Sequence, residues 1–208
     1  MRILNPNIER DLAAGTGLRL NLGCGRRPRP GYYNVDLVPL PGVDIVADLN
    51  EPMRALPDSS VTEIYSEHTL EHVTQLLPLL AEIHRVARPG ARVTLIMPHF
   101  SNPYAYSDPT HVRFFGLYTF YYFCDTADQP PRKVPNFYMA ERFAVESVKF
   151  LLLKRSLLER GVGALLQWAA NLSIGTLDCY ERRLCWLFPV ASVRYLLRVK
   201  KPGAAAAA

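Results

Sequence analysis

Residues 18–49 read LRLNLGCGRRPRPGYYNVDLVPLPGVDIVADL, and their pattern decides the fold. Three short apolar runs are separated by turns: Leu18 to Leu22, ending in Gly23-Cys24-Gly25; Tyr33 to Val38, with Asp36; and Val43 to Ala47, delivering Asp48. Each run has the length and composition of a strand. A glycine turn after a strand lets a ligand approach backbone where a side chain would block it. An acidic residue at the tip of the next strand is suited to the two hydroxyls of a ribose. Together these features predict a nucleoside pocket at the carboxyl edge of a parallel sheet.

The spacing narrows the ligand. In dinucleotide sites the acid lies about 20 residues beyond the glycines, because a helix intervenes. Here Asp36 follows Gly25 by eleven positions, and Pro28, Pro30 and Gly31 exclude a helix between them. A pyrophosphate is best served by a helix N-terminus, which this loop does not supply. A ligand ending in a carboxylate asks for less, and Arg26 or Arg27 could meet it. This favours S-adenosylmethionine over NAD and argues against a nucleotide-dependent oxidoreductase.

Outward from this stretch, residues 1–17 read as a polar lead-in, and Val61 to Tyr65 as a fourth strand. Leu70, Val73, Leu76, Leu77, Leu80, Ile83 and Val86 recur at helical spacing and predict one helix from about Thr69 to Arg88, kinked or split at Pro78. Arg88-Pro89-Gly90 ends it, and Ala91 to Met97 reads as a buried fifth strand.

On NLGCG (21–25), NVDL (34–37), VADL (46–49), SEHTLEHV (66–73) and HRVARPGARVTLIMPHF (84–100), in that order, the sequence resembles a class I S-adenosylmethionine-dependent methyltransferase of the small-molecule group. The resemblance covers about residues 18 to 100. It implies a Rossmann-like, mostly parallel seven-stranded α/β sheet with helices on both faces. It places Gly23, Cys24 and Gly25 against the methionine end of the cofactor, Asp36 on the ribose, and Asp48 and Leu49 at the adenine. Ser66, Glu67 and His68 would line the sulfonium side. The family's third glycine is replaced by Arg27, and its first helix is reduced to a turn. The implied activity is O- or N-methylation of a small-molecule, glycan or lipid-linked acceptor. The alternative is a non-catalytic S-adenosylmethionine-binding protein of the same fold.

Composition excludes other classes. At 208 residues, 49% hydrophobic and 21% charged, the chain suits one globular domain rather than a disordered segment. A net charge of +5 without a dense basic cluster gives no indication of a nucleic-acid partner. Cys24, Cys124, Cys179 and Cys185 have neither metal nor disulfide spacing and the N-terminus lacks a signal-peptide core, which fits a cytoplasmic setting. His68-Thr69-Leu70-Glu71-His72 matches the H-x-x-E-H pattern of zinc peptidases. No third ligand follows on a nearby helix, so no metal is expected.

The remaining chain forms the substrate half. Residues 99–113, HFSNPYAYSDPTHVR, follow the fifth strand on the edge where the cofactor's methyl should emerge. Within them His111 is the expected catalytic base, with a pKa suited to proton removal near neutrality. Asp108 is its expected orienting partner, and Arg113 a candidate to hold an acidic substrate. FFGLYTFYYF (114–123) places seven aromatics in ten residues, mostly core with a minority facing substrate. Residues 125–140 read as a surface loop or lid. Phe143 to Leu153 and Ser192 to Lys200 read as closing strands, the last antiparallel, around a helical insertion at about 154–190. Leu158, Val162, Leu165, Ala169 and Leu172 give that insertion one apolar face, expected to be buried or to form a homodimer contact. Polar residues within it argue against a membrane span. One domain is therefore expected over 1–202, with 18–100 binding cofactor, 101–200 binding substrate, and 203–208 a tail.

Overall fold

The computed structural model describes residues 1–154 and 157–201, so the tail expected at 203–208 lies outside the described residues. Its strands are β1 (Arg2–Ile3), β2 (Leu18–Leu22), β3 (Tyr33–Asp36), β4 (Ile45–Val46), β5 (Val61–Glu67), β6 (Ala87–Pro98), β7 (Arg142–Leu152) and β8 (Val190–Lys200). Its α-helices are α1 (Asn7–Ala13), α2 (Leu76–Val86), α3 (Leu157–Ala170) and α4 (Ile174–Arg183). One sheet has the order β1-β4-β3-β2-β5-β6-β8-β7. Strands β2 to β6 pair in parallel, and β8 runs antiparallel to both β6 and β7. The chain moves from β2 outward to β3 and β4, then returns to the far side of β2 with β5 and β6. The topological switch therefore lies between β2 and β5, and ligands of such sheets bind outside the strand ends at that point.

The architecture is the Rossmann-like one expected, with eight strands in place of seven. The added strand is β1, in the supposed polar lead-in, pairing Arg2 with Val46 and Ile3 with Ile45. A two-residue edge pairing uses backbone groups and leaves no apolar alternation to read. Helix α1 was hidden for a similar reason, since only Ile8 of its seven residues is buried.

Between β2 and β3 there is no helix, as the prolines required. Arg19 stacks on Tyr32, while Arg29 lies against both Tyr32 and Tyr65, so cation–π contacts brace the loop. Asn21, unusual in a central strand, donates to Asn34 Oδ1 at 2.9 Å, and the same oxygen receives Arg29 N at 2.7 Å. The polar residues of β2 thus hold the glycine loop in place.

The helix expected from Thr69 to Arg88, kinked or split at Pro78, is split ahead of that proline. Leu70–His72 forms a 3-10 turn, Val73 is extended, and α2 begins at Leu76. Pro78 sits in the first turn of α2, where its missing N–H costs no helical bond. The break is filled by Asn50, whose Oδ1 accepts Thr74 N at 2.9 Å and Gln75 N at 3.0 Å. Consequently Glu71 and His72 lie on a tight turn at the carboxyl edge, outside a regular helix.

For two segments of the substrate half the structure removes one of the readings left open. The 125–140 loop is no lid over the cofactor edge. Lys200, at the far end of β8, binds Asp125 and Asp128 and anchors this loop at the opposite, amino edge. The apolar stripe of α3 is not buried. Leu165 and Trp168 are 65% and 63% exposed, and Val162 and Leu172 are exposed too; the side chain of Leu158 lies outside the described residues. Polar side chains turn inward instead. Asn171 pairs with both backbone groups of Phe150 and Gln167 accepts Leu152 N, so amides cover the free edge of β7. No helix among the described residues is long and apolar enough to cross a membrane.

Candidate functional site

The crevice at the switch point holds two clefts that share Gly23. The larger, about 560 Å³, is lined by Gly23 to Pro30 with Asn21, Tyr65, Glu67 and His68. The smaller, about 160 Å³, is walled by Asp36, Leu37, Ala47, Asp48, Leu49 and Asn50, and closed by Thr69, His72 and Val73. The expected methionine-end residues thus line the first, and the expected ribose and adenine residues the second.

Gly23 is irreplaceable on steric grounds. Its φ is +68°, and an added Cβ would stand 2.1 Å from Thr69 Oγ1. Gly25 has φ +52° with open space around it, as a loop receiving a ligand would need. Asp36 Oδ2 accepts Gly25 N at 2.7 Å and Oδ1 accepts Val38 N at 3.1 Å. Each oxygen keeps a further lone pair, so the carboxylate is fixed in place and still able to accept hydroxyls. Asp48 is exposed, and its Oδ1 accepts Asn50 N at 2.8 Å. Leu49 is buried beside it. Burial, with the charge of Asp36, pushes the Cys24 thiol up to about 11, so this sulfur packs rather than reacts.

The three residues expected at the sulfonium side separate. Ser66 is buried within the sheet and donates to Leu22 O at 3.1 Å, pinning β5 to β2 away from both clefts. Glu67 and His68 do line the larger cleft. Tyr65 Oη donates to Glu67 Oε2 at 2.6 Å, and burial together with that bond pushes the tyrosine up to about 12. His68 holds a left-handed φ of +53° and places Nδ1 3.4 Å from Glu71 Oε1; this carboxylate raises its pKa.

Asp108 and His111 are brought to the same edge. Asp108 caps its own turn, with Oδ1 accepting Thr110 N at 2.9 Å and the Thr110 hydroxyl at 2.6 Å. Its Oδ2 is 3.7 Å from His111 Nε2, beyond hydrogen-bond reach. His111 donates from Nδ1 to Ala105 O at 2.8 Å, which leaves Nε2 as its reactive atom. Arg113 is committed elsewhere, donating to Val73 O and Thr74 O at 2.9 and 2.8 Å, and so straps the 110–113 loop onto the 3-10 turn.

That strap produces what the sequence did not disclose. Val112 N donates to Glu71 O, and His111 comes to lie against His72 with ring centroids 4.7 Å apart. Glu71, His72 and His111 each offer one ligating atom, all within 4.8 Å of one another. The third ligand missing from the H-x-x-E-H turn is supplied from 39 residues downstream by a loop rather than by a nearby helix. His99 has a different role. It is fully buried between Ser101 and Glu181, at 2.8 and 3.0 Å, and ties the end of β6 to α4.

Residues 31–95 match the family model described as a methyltransferase domain. Among solved structures, the chain is similar to an S-adenosylmethionine-dependent methyltransferase from Archaeoglobus fulgidus. That likeness has 17% identity and a TM-score of 0.51, and covers 92% of this chain and 91% of the other. It is also similar to the YcgJ protein of Bacillus subtilis, with 16% identity, a TM-score of 0.52, and 94% and 100% coverage. No curated protein matches it. The chain thus has the fold of the class I S-adenosylmethionine-dependent methyltransferases, and a methyltransferase-domain sequence signature runs from the end of the glycine loop into β6.

Proposed function

We propose that this protein transfers the methyl group of S-adenosylmethionine to a hydroxyl or amine of a small-molecule, glycan or lipid-linked acceptor. The observation that carries this reading is the glycine turn locked to Asp36 across a helix-free loop, with a walled cleft on each side of Gly23. Gly23, Cys24 and Gly25 would take the methionine end, with Arg26 and Arg27 near enough to receive its carboxylate. Asp36 would accept the ribose hydroxyls, and Asp48 and Leu49 would border the adenine. When bound, the cofactor supplies a methyl group on a cationic sulfur, already an excellent leaving group.

The chain's own task is then to align a nucleophile, exclude water and take up a proton. Glu67 and His68 border the larger cleft. His111 Nε2 is the proton acceptor we assign, and Asp108 serves it by fixing the loop through Thr110. The acceptor class is supported by aromatic faces on this edge. Tyr106 and Phe114 lie 4.6 Å apart between centroids and Phe100 and Trp186 5.6 Å, and Tyr106, Phe114 and Trp186 are exposed. Such faces suit stacking on a sugar or aromatic ring.

The test is transfer of labelled methyl from S-adenosylmethionine to a panel of glycan, phenolic and lipid-linked acceptors. Label entering one acceptor class supports the reading. Tight cofactor binding with no transfer to any class would favour the non-catalytic alternative.

A further inference from the structure

We propose that Glu71, His72 and His111 form a binding site for one divalent transition-metal ion. Glu71 is 1% exposed, and no hydrogen bond from the described residues reaches either of its oxygens. Its nearest positively chargeable neighbour is His68, at an ion-pair distance of 3.4 Å. A carboxylate withdrawn from water without donors is costly to fold around unless a cation completes it.

The two imidazoles are oriented for that cation. A carbonyl can only accept, so His111 Nδ1, 2.8 Å from Ala105 O, carries the proton and leaves its lone pair on Nε2. Thr110 Oγ1 donates its proton to Asp108 Oδ1 at 2.6 Å and must therefore accept from His72 Nδ1 at 2.8 Å. His72 is left with its lone pair on Nε2 as well. Each ring thus keeps one unprotonated nitrogen and is held by an outer hydrogen bond of the kind that orients metal-ligating histidines, and one ligating atom from each of Glu71, His72 and His111 lies within 4.8 Å of the others. Asp108, read from the sequence as a catalytic partner, acts here through Thr110 on the orientation of His72.

The donor set suits the ion. Two imidazoles and one carboxylate fit zinc, manganese or iron(II), and leave coordination positions for water or substrate. His72 is exposed and lines the smaller cleft, so the ion is reachable from solvent. On the methyl-transfer reading, on which this last step alone rests, the ion would hold the acceptor's oxygen as a Lewis acid and lower its pKa, and the proton would pass to solvent because His111 Nε2 is then taken up by the ion. Metal binding itself stands apart from that reading.

The experiment uses the full chain without a polyhistidine tag, stripped with a chelator and assayed without S-adenosylmethionine. Zinc and manganese are titrated separately by calorimetry and by thermal unfolding. One ion per chain is expected, with a Tm rise of about 5–10 °C at a hundredfold excess over Kd. His111→Ala and Glu71→Gln should each weaken binding at least about tenfold. In chelator, Glu71→Gln should unfold no lower than the parent, since neither Glu71 oxygen has a hydrogen-bond donor among the described residues to lose. Exposed His72→Ala provides a variant that folds if the others do not, and it should lose the thermal shift. Of the five histidines, His84 bonds Lys200 O and His99 is buried, so neither offers a competing open site. Absence of stoichiometric binding by either metal, or binding unchanged in His72→Ala, overturns the proposal.

Discussion

Gly23→Ala tests the geometry on which the site depends. The new Cβ would stand 2.1 Å from Thr69 Oγ1, 2.3 Å from its Cγ2 and 2.7 Å from its Cβ. Rotating Thr69 gives no relief, because its own Cβ is inside contact distance and its hydroxyl is bonded to Leu22 O at 3.2 Å. An alanine forced to keep the left-handed backbone costs about 1–2 kcal/mol. Overpacking against a fixed neighbour adds about 1–3 kcal/mol. The sum, about 2–5 kcal/mol, corresponds to a Tm lower by about 4–20 °C for a domain of this size. Urea denaturation of Gly23→Ala, Thr69→Gly and the double variant separates the two parts. In the Thr69→Gly background the alanine should cost only the backbone share, about 1–2 kcal/mol. If Gly23→Ala costs the same in both backgrounds, or less than about 0.5 kcal/mol in the parent, then Thr69 does not close on this turn and the steric reasoning for the cleft fails.

Other predictions follow from the same contacts. Arg85 and the backbone N–H of Met53 hold the Glu82 carboxyl below its ordinary range, with bonds of 2.8–2.9 Å. A depressed carboxylate stabilises above its unfolded pKa and ceases to do so as pH falls through its folded one. Glu82→Gln should therefore cost about 1.5–3 kcal/mol at neutral pH, and urea midpoints of variant and parent should converge under acid conditions; a constant gap would refute this. Asn171→Ala should cost about 1–3 kcal/mol by freeing both backbone groups of Phe150, and hydrogen exchange should show β7 opening first. Leu165→Lys, on the exposed stripe of α3, should change stability by no more than about 0.5 kcal/mol. A larger loss that depends on protein concentration would show that the stripe is covered in a homodimer. Once an acceptor is known, His111→Ala should lower turnover by about 10²–10⁴ with cofactor binding nearly intact, and turnover within a fewfold of the parent would remove His111 from the chemistry.

The legible parts of this chain were those governed by local physics. The glycine turn, the helix-free run to Asp36 and the apolar strands announce themselves through spacing, and the structure places them at one sheet edge. Boundaries set by distant partners were not legible. Nothing near Leu70 shows that Asn50 will interrupt the helix there, and only backbone pairing gives β1 its place. In the insertion, Gln167 and Asn171 were read only as evidence against a membrane span, whereas they also satisfy an open sheet edge, and the apolar residues face outward. Ser66 looked like a cleft residue because of its neighbours, but strand alternation sends its hydroxyl into the sheet while Glu67 faces the ligand side. The cluster around Glu71 needed the fold, since Arg113 and Val112 are what bring His111 across.

Cofactor binding decides the assignment of the crevice. It is read by calorimetric titration of the full chain with S-adenosylmethionine, repeated on Asp36→Ala and on the shape-preserving Asp36→Asn. One molecule should bind per chain in the parent. In both variants, loss of a charged hydrogen bond worth about 1.5–3 kcal/mol should weaken binding at least about tenfold. No binding by the folded parent, or an affinity unchanged when Asp36 is replaced, would contradict the assignment.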